Sequence, residues 1–156
     1  IHNHVLMIDA DKYLPVDAVL IPTGEVAGVA GTPLDFTKPG KIGARLDQMK
    51  ATPVGYDHCF VINKEAFGDL ALAAEVTSPV TGICLRVFTT MPGVQFYSGN
   101  YLNSEYLGLE GKPYSKRQAF CLEPEYFPDS PNQSGFPDCM LKPGNVWEET
   151  MIFQFC

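Results

Sequence analysis

The chain has 156 residues, 46% of them hydrophobic and 12% aromatic, and a net charge of −7. One domain of that length buries roughly 68–70% of its unfolded surface, so a disordered chain is excluded. No basic block offsets the acidic balance, and no run approaches the ~18 apolar residues of a membrane span, so neither nucleic acid nor a membrane is expected as a partner.

Thirteen prolines and fourteen glycines predict many turns and few helices, hence an all-β or β-rich chain with at most one short helix. Strand-like residues run from Ile1 to Ile8 with no polar lead-in and no signal-peptide pattern. Ile21-Pro22 leads to a turn at Thr23-Gly24-Glu25, and Val26 to Val29 reads as a short strand. Between Lys41 and Lys50 the spacing of Ile42, Leu46 and Met49 predicts a short helix, weakened by Gly43. Gly55 to Ile62 returns to strand character.

A hairpin is predicted from Leu70 to Thr77 and Gly82 to Thr90, joined by Ser78-Pro79-Val80-Thr81. In Val94-Gln95-Phe96-Tyr97 the alternation puts Gln95 on the opposite face from Val94 and Phe96, as a satisfied core amide or a ligand contact. Asn103 to Lys116 reads as a long loop, and Thr150 to Phe155 as a closing strand.

The stretch Arg117 to Asn132 draws most of the chemical interest. Apolar residues run into Glu123, and Pro124 follows at once, so the strand is expected to stop there. Of the two acids flanking the proline, Glu123 is expected to be the partly buried one, with a raised pKa suited to a general base. A solvated acidic turn is the plainer alternative.

Cys59, Cys84, Cys121, Cys139 and Cys156 form an odd set without a CxxC pair, which points to reduced, buried thiols and leans toward a cytoplasmic compartment. His2 and His4 share one strand parity, yet two histidines at a terminus make a weak metal site.

Three groups of segments, in this order over essentially the whole chain, resemble the aldose 1-epimerases, also called galactose mutarotases. The first is Tyr13-Leu14-Pro15-Val16-Asp17 with Ile21-Pro22-Thr23-Gly24-Glu25 and Val29 to Phe36. The second is Gly55-Tyr56-Asp57-His58 with Pro92 to Asn100. The third is Phe120-Cys121-Leu122-Glu123 with Phe127 to Asn132, Phe136-Pro137 and Leu141-Lys142-Pro143-Gly144.

The resemblance covers the family's C-terminal half. It implies that residues 1–156 are the C-terminal portion of one large β-sandwich, with the N-terminal portion missing or on another chain. It further implies an isomerase that interconverts the anomers of a hexose such as galactose or glucose, with no cofactor. Glu123 resembles the family's catalytic base, while Asp57 and Gln95 resemble its substrate contacts. The family's acid is a histidine in an Asn-His-x-Tyr-Phe-Asn-Leu-type motif that these residues do not contain. The residues after Asn3-His4 match the family segment downstream of that motif, so His4 is not read as the acid.

Pro124-Glu125 departs from the Thr-Gln-type pair usual in the family, and Glu125 would either raise the base's pKa or face solvent. His58 is expected to brace the site. Tyr56, Phe60, Phe96, Tyr97 and Tyr126 would supply an apolar face for a pyranose, or core. A sugar-binding or structural β-domain that has lost the chemistry is the alternative function.

Overall fold

The computed structural model describes residues 1–50 and 53–156. Ten strands form two antiparallel five-stranded sheets among the described residues. The first sheet takes β1 (Val5–Ile8), β4 (Gly40–Lys41), β6 (Ala71–Thr77), β7 (Cys84–Thr89) and β10 (Met151–Phe155), in the spatial order β10-β7-β6-β1-β4. The second takes β2 (Lys12–Tyr13), β3 (Ala27–Gly28), β5 (Asp57–Val61), β8 (Gly93–Tyr97) and β9 (Cys121–Glu125), in the order β3-β2-β5-β8-β9.

Period-2 alternation explains how the sheets meet. Leu6 and Ile8 of β1 pair opposite Val76 and Ala74 of β6, and Ala74 pairs with Val87 of β7. In the second sheet Phe60 stands opposite Val94, and Phe96 opposite Leu122. All these side chains join one buried cluster with Phe36, Ile42 and Tyr56. Tyr56 and Phe96 stack with ring centroids 5.3 Å apart, and Phe36 meets both edge-on. Burial of each Val, Leu, Ile or Phe side chain among them is worth about 1.5–3 kcal/mol.

The expected hairpin is present as β6 and β7, with a register shift between Leu72 and Ala74 that lets both Ala73 and Ala74 be buried. The predicted helix is instead two 3₁₀ turns, Ile42–Ala44 and Leu46–Gln48, broken at Arg45. Ile42 and Leu46 still face the core, so the spacing marked a buried face correctly although the backbone is not α-helical. Glycine at 43 and a 3₁₀ geometry that favours short pieces account for the break.

β9 does not stop before Pro124 as expected; it pairs with β8 through Glu125. It is the last strand of its sheet, and edge strands tolerate a proline that lacks an N–H. The five cysteines form no disulfide among the described residues, but only Cys59 is buried, which corrects the expectation of buried thiols throughout. No helix among the described residues is long and apolar enough to cross a membrane.

A buried polar knot ties the start of β5 to the end of β8. The Tyr56 N–H donates to Ser98 Oγ at 2.9 Å, and Asn100 Nδ2 donates to the Tyr56 carbonyl at 2.8 Å. Ser98 Oγ in turn donates to Asn100 Oδ1 at 2.7 Å. Gly55 makes this possible: its φ is +149°, and a Cβ there would lie 1.8 Å from Asn100 Oδ1. Gly55→Ala is therefore expected to cost about 2–4 kcal/mol through backbone strain and broken buried hydrogen bonds. Urea unfolding of the two proteins checks it.

Candidate active site

The second sheet has two different faces. One is the inter-sheet core. On the other, residues of alternate parity line up across three adjacent strands: Asp57 and Cys59 from β5, Gln95 and Tyr97 from β8, Cys121, Glu123 and Glu125 from β9. Gln95 stands directly opposite Glu123 and Cys59, while Asp57 stands opposite Tyr97. A pocket of about 370 Å³ opens here, lined by Asp57, Gln95, Tyr97, Tyr101, Glu123, Glu125 and Pro128. All three residues singled out from the sequence, Asp57, Gln95 and Glu123, meet in this pocket.

Gln95 Nε2 donates to Asp57 Oδ1 at 2.7 Å. Burial raises the Asp57 pKa, and that hydrogen bond opposes the rise. Behind the pair, His58 lies on the core side of β5, and its Nδ1 accepts the Asp57 N–H at 3.1 Å. Burial depresses the His58 pKa to about 4, so the ring is neutral at physiological pH and able to accept that bond. His58 does not line this pocket: it meets the Asp57 backbone and lines a separate cavity with Tyr13 and Leu34.

The two acids of β9 exchange the burial expected of them. Glu123 is exposed and Glu125 is half-buried. Positions 123 and 125 are two apart in a strand, so both point to the same face. Glu125 lies opposite Gly93, where a Cβ would meet Cys59 Sγ at 2.7 Å and Phe127 Cδ1 at 3.1 Å. The missing side chain lets Phe127, Cys59, Leu14 and Phe136 pack as a second apolar cluster on this face. Burial first, then the charges of Glu123 and Asp57, push the Glu125 pKa up to about 7.

This has a measurable consequence for stability. The folded form holds the Glu125 proton more tightly than the unfolded chain, so stability falls as pH rises from about 4.5 through about 7. Glu125→Gln removes the cost of ionisation. The variant is expected to exceed the parent by about 1 kcal/mol at pH 8, after allowance for solvent screening, and to match it at pH 4. Urea titrations at the two pH values read the difference directly.

Of the aromatics expected at the site, Tyr56, Phe60 and Phe96 belong to the core. Tyr126 turns away, donating from its hydroxyl to Glu149 Oε1 at 3.2 Å. Tyr97 alone of these lines the pocket, joined by Tyr101, which sequence reasoning missed. The two rings stack at 6.4 Å, and the Tyr101 N–H donates to Tyr97 Oη at 2.8 Å. The available signal was Gly99, whose φ of +69° turns the chain back over β8. The pocket thus offers carboxylates, an amide and two phenol rings, a set suited to hydroxyl-rich ligands. Among the described residues, no Lys, Arg or His lines it.

The chain as a whole is similar to known proteins. A family model described as Aldose 1-epimerase matches residues 1–154. A galactose mutarotase from Bos taurus is 43% identical over 155 residues, covering 99% of this chain and 44% of its own length. The Escherichia coli (strain K12) aldose 1-epimerase is 41% identical over 162 residues, covering 99% of this chain and 45% of its own. The chain therefore spans less than half the length of these curated relatives.

Among solved structures, an aldose epimerase homologue from C. elegans superposes with a TM-score of 0.84 at 24% identity, covering all of this chain and 46% of that one. A galactose 1-epimerase from Lactobacillus acidophilus NCFM gives 0.67 at 26% identity, covering 99% and 44%. With the family model spanning nearly every residue, the chain belongs to the aldose 1-epimerase family.

Proposed function

We propose that these residues carry the base half of an aldose 1-epimerase site acting on neutral hexoses such as galactose or glucose. Glu123 takes the proton from the C1 hydroxyl while a histidine from outside residues 1–156 protonates the ring oxygen. The ring opens, the C1–C2 bond rotates, and closure on the other face reverses both transfers. Asp57 and Gln95 hold sugar hydroxyls so that C1 stays beside the base. The observation that carries this reading is the convergence of Asp57, Gln95 and Glu123 on one pocket from three neighbouring strands. A lining whose ionisable groups are carboxylates and phenols repels phosphate, which favours neutral sugars over phosphorylated ones.

The source of the acid is either an N-terminal segment or a companion chain completing the sandwich. β10 supports this part of the proposal. Every residue of that strand is exposed, Ile152 and Phe153 on opposite faces alike, and Val146 and Trp147 nearby are exposed as well. Apolar side chains bare on both faces of an edge strand call for covering structure.

Polarimetry of freshly dissolved α-D-galactose, with the protein as its own gene encodes it, tests the function. Relaxation faster than the spontaneous rate is expected. A spontaneous rate with galactose binding retained in calorimetry would instead indicate a carbohydrate-binding β-domain. A denaturing gel or intact mass shows whether a longer chain or second polypeptide accompanies residues 1–156.

A further inference from the structure

Two buried oxygens in the pocket have no hydrogen-bond partner among the described residues: Gln95 Oε1 and Glu125 Oε1. Leaving such acceptors unpaired is costly, so each requires a physical account. The Gln95 amide has no freedom to turn over. With Nε2 on Asp57 Oδ1 at 2.7 Å, a flip would press the amide oxygen against a carboxylate, acceptor on acceptor. Gln95 Oε1 therefore needs a donor from elsewhere.

Glu125 is on the adjacent strand and the same face. Gln95 pairs with Glu123, and Gly93 with Glu125, which makes Glu125 the diagonal neighbour of Gln95, within reach of a long side chain. One proton on the Glu125 carboxyl would convert two unpaired acceptors into one hydrogen bond. The facing groups favour that proton. They are Asp57 and Cys59 from β5, Tyr97 from β8, Cys121 and Glu123 from β9 and Tyr101 from the following loop, and none is a cation.

We propose that Glu125 is a positioning residue of the sugar site, whose neutral carboxyl donates to Gln95 Oε1 and thereby locks Gln95 onto Asp57. Its role toward sugar rests on the epimerase reading, but the Glu125–Gln95 bond does not. Burial and the neighbouring acids place the Glu125 titration at about pH 7, so the donor is present below neutrality and lost above it. Above that point Gln95 loses its anchor, and affinity for the sugar falls.

The test tracks the Glu125 carboxyl and the Gln95 side-chain amide by NMR from about pH 5.5 to 8.5 without sugar, then measures D-galactose affinity calorimetrically over the same range. Both resonances are expected to share one midpoint near neutrality, with affinity declining through it. In Glu125→Gln the midpoint should vanish from the Gln95 amide and from the galactose profile, because a carboxamide donates at every pH. In Glu125→Leu it should vanish too, with affinity at pH 6 about tenfold weaker, the order expected for one lost hydrogen bond. A Gln95 amide blind to the Glu125 titration overturns the proposal, as does a Glu125→Gln galactose profile identical to the parent's. Coupled resonances in a protein that binds no galactose would sink the epimerase reading and leave the carboxyl–amide bond standing.

Discussion

Glu123→Gln is expected to abolish catalysed anomer interconversion while galactose still binds. The substitution preserves shape and the ability to hydrogen-bond, and it removes only the capacity to accept a proton. A general base contributes about 10²–10⁴-fold to a rate, so kcat should fall by that factor with KM changed far less. Asp57 and Gln95, which contact the sugar in the proposal, remain intact in the variant. Polarimetry reads the rate and calorimetry the binding. A mutant rate equal to the parent's would take Glu123 out of the mechanism.

The second large effect is on stability. Phe96 is fully buried, stacks on Tyr56 at 5.3 Å and meets Phe36 edge-on at 5.7 Å. Phe96→Ala removes a ring from the centre of the inter-sheet cluster and leaves a cavity that a close-packed interior fills only in part. A loss of about 3–5 kcal/mol is expected, which for a chain of this size lowers Tm by roughly 6–20 °C. Calorimetric melting measures it. The neighbours of Phe96 on β8 are Gln95 and Tyr97, both lining the pocket, so loss of packing should also weaken galactose binding. A Tm within about 2 °C of the parent's would mean that the cluster does not anchor this sheet.

The longer strands were legible in the sequence because alternation, not composition, marks them. Ala71–Thr77, Cys84–Thr89 and Gly93–Tyr97 all fall where the pattern put them. The two-residue strands Lys12–Tyr13 and Gly40–Lys41 are too short to show a period, and tertiary pairing alone creates them. The 3₁₀ turns after Lys41 share apolar spacing with a helix, so the pattern revealed the buried face and not the hydrogen bonding.

The site was legible in a different way. Nothing in spacing connects Asp57, Gln95 and Glu123: the apolar run ending at a proline marked Glu123, alternation left Gln95 open as a ligand contact, the family resemblance added Asp57, and strand register explains why they meet. The burial of Glu125 was hidden for a reason that residues near it make plain. It depends on Gly93 lacking a side chain and on Phe127 closing over the strand, both set by packing between distant segments. A proline between two acids suggested an ending, whereas an edge strand carried the chain two residues further.

The order of the strands along the polypeptide also bears on how the molecule reaches its native state. β5, β8 and β9, which bear the pocket, are all in hand once residue 125 has been made. The other sheet waits for β10, whose partner β7 lies far back along the chain, as in the pairing of Phe153 with Val87. Such long-range closure is slow, and until it occurs β7 presents a bare hydrogen-bonding rim to any other chain. Mistakes in assembly should therefore begin at β7, far from the carboxylates, and yield material that aggregates with its pocket-bearing sheet already formed.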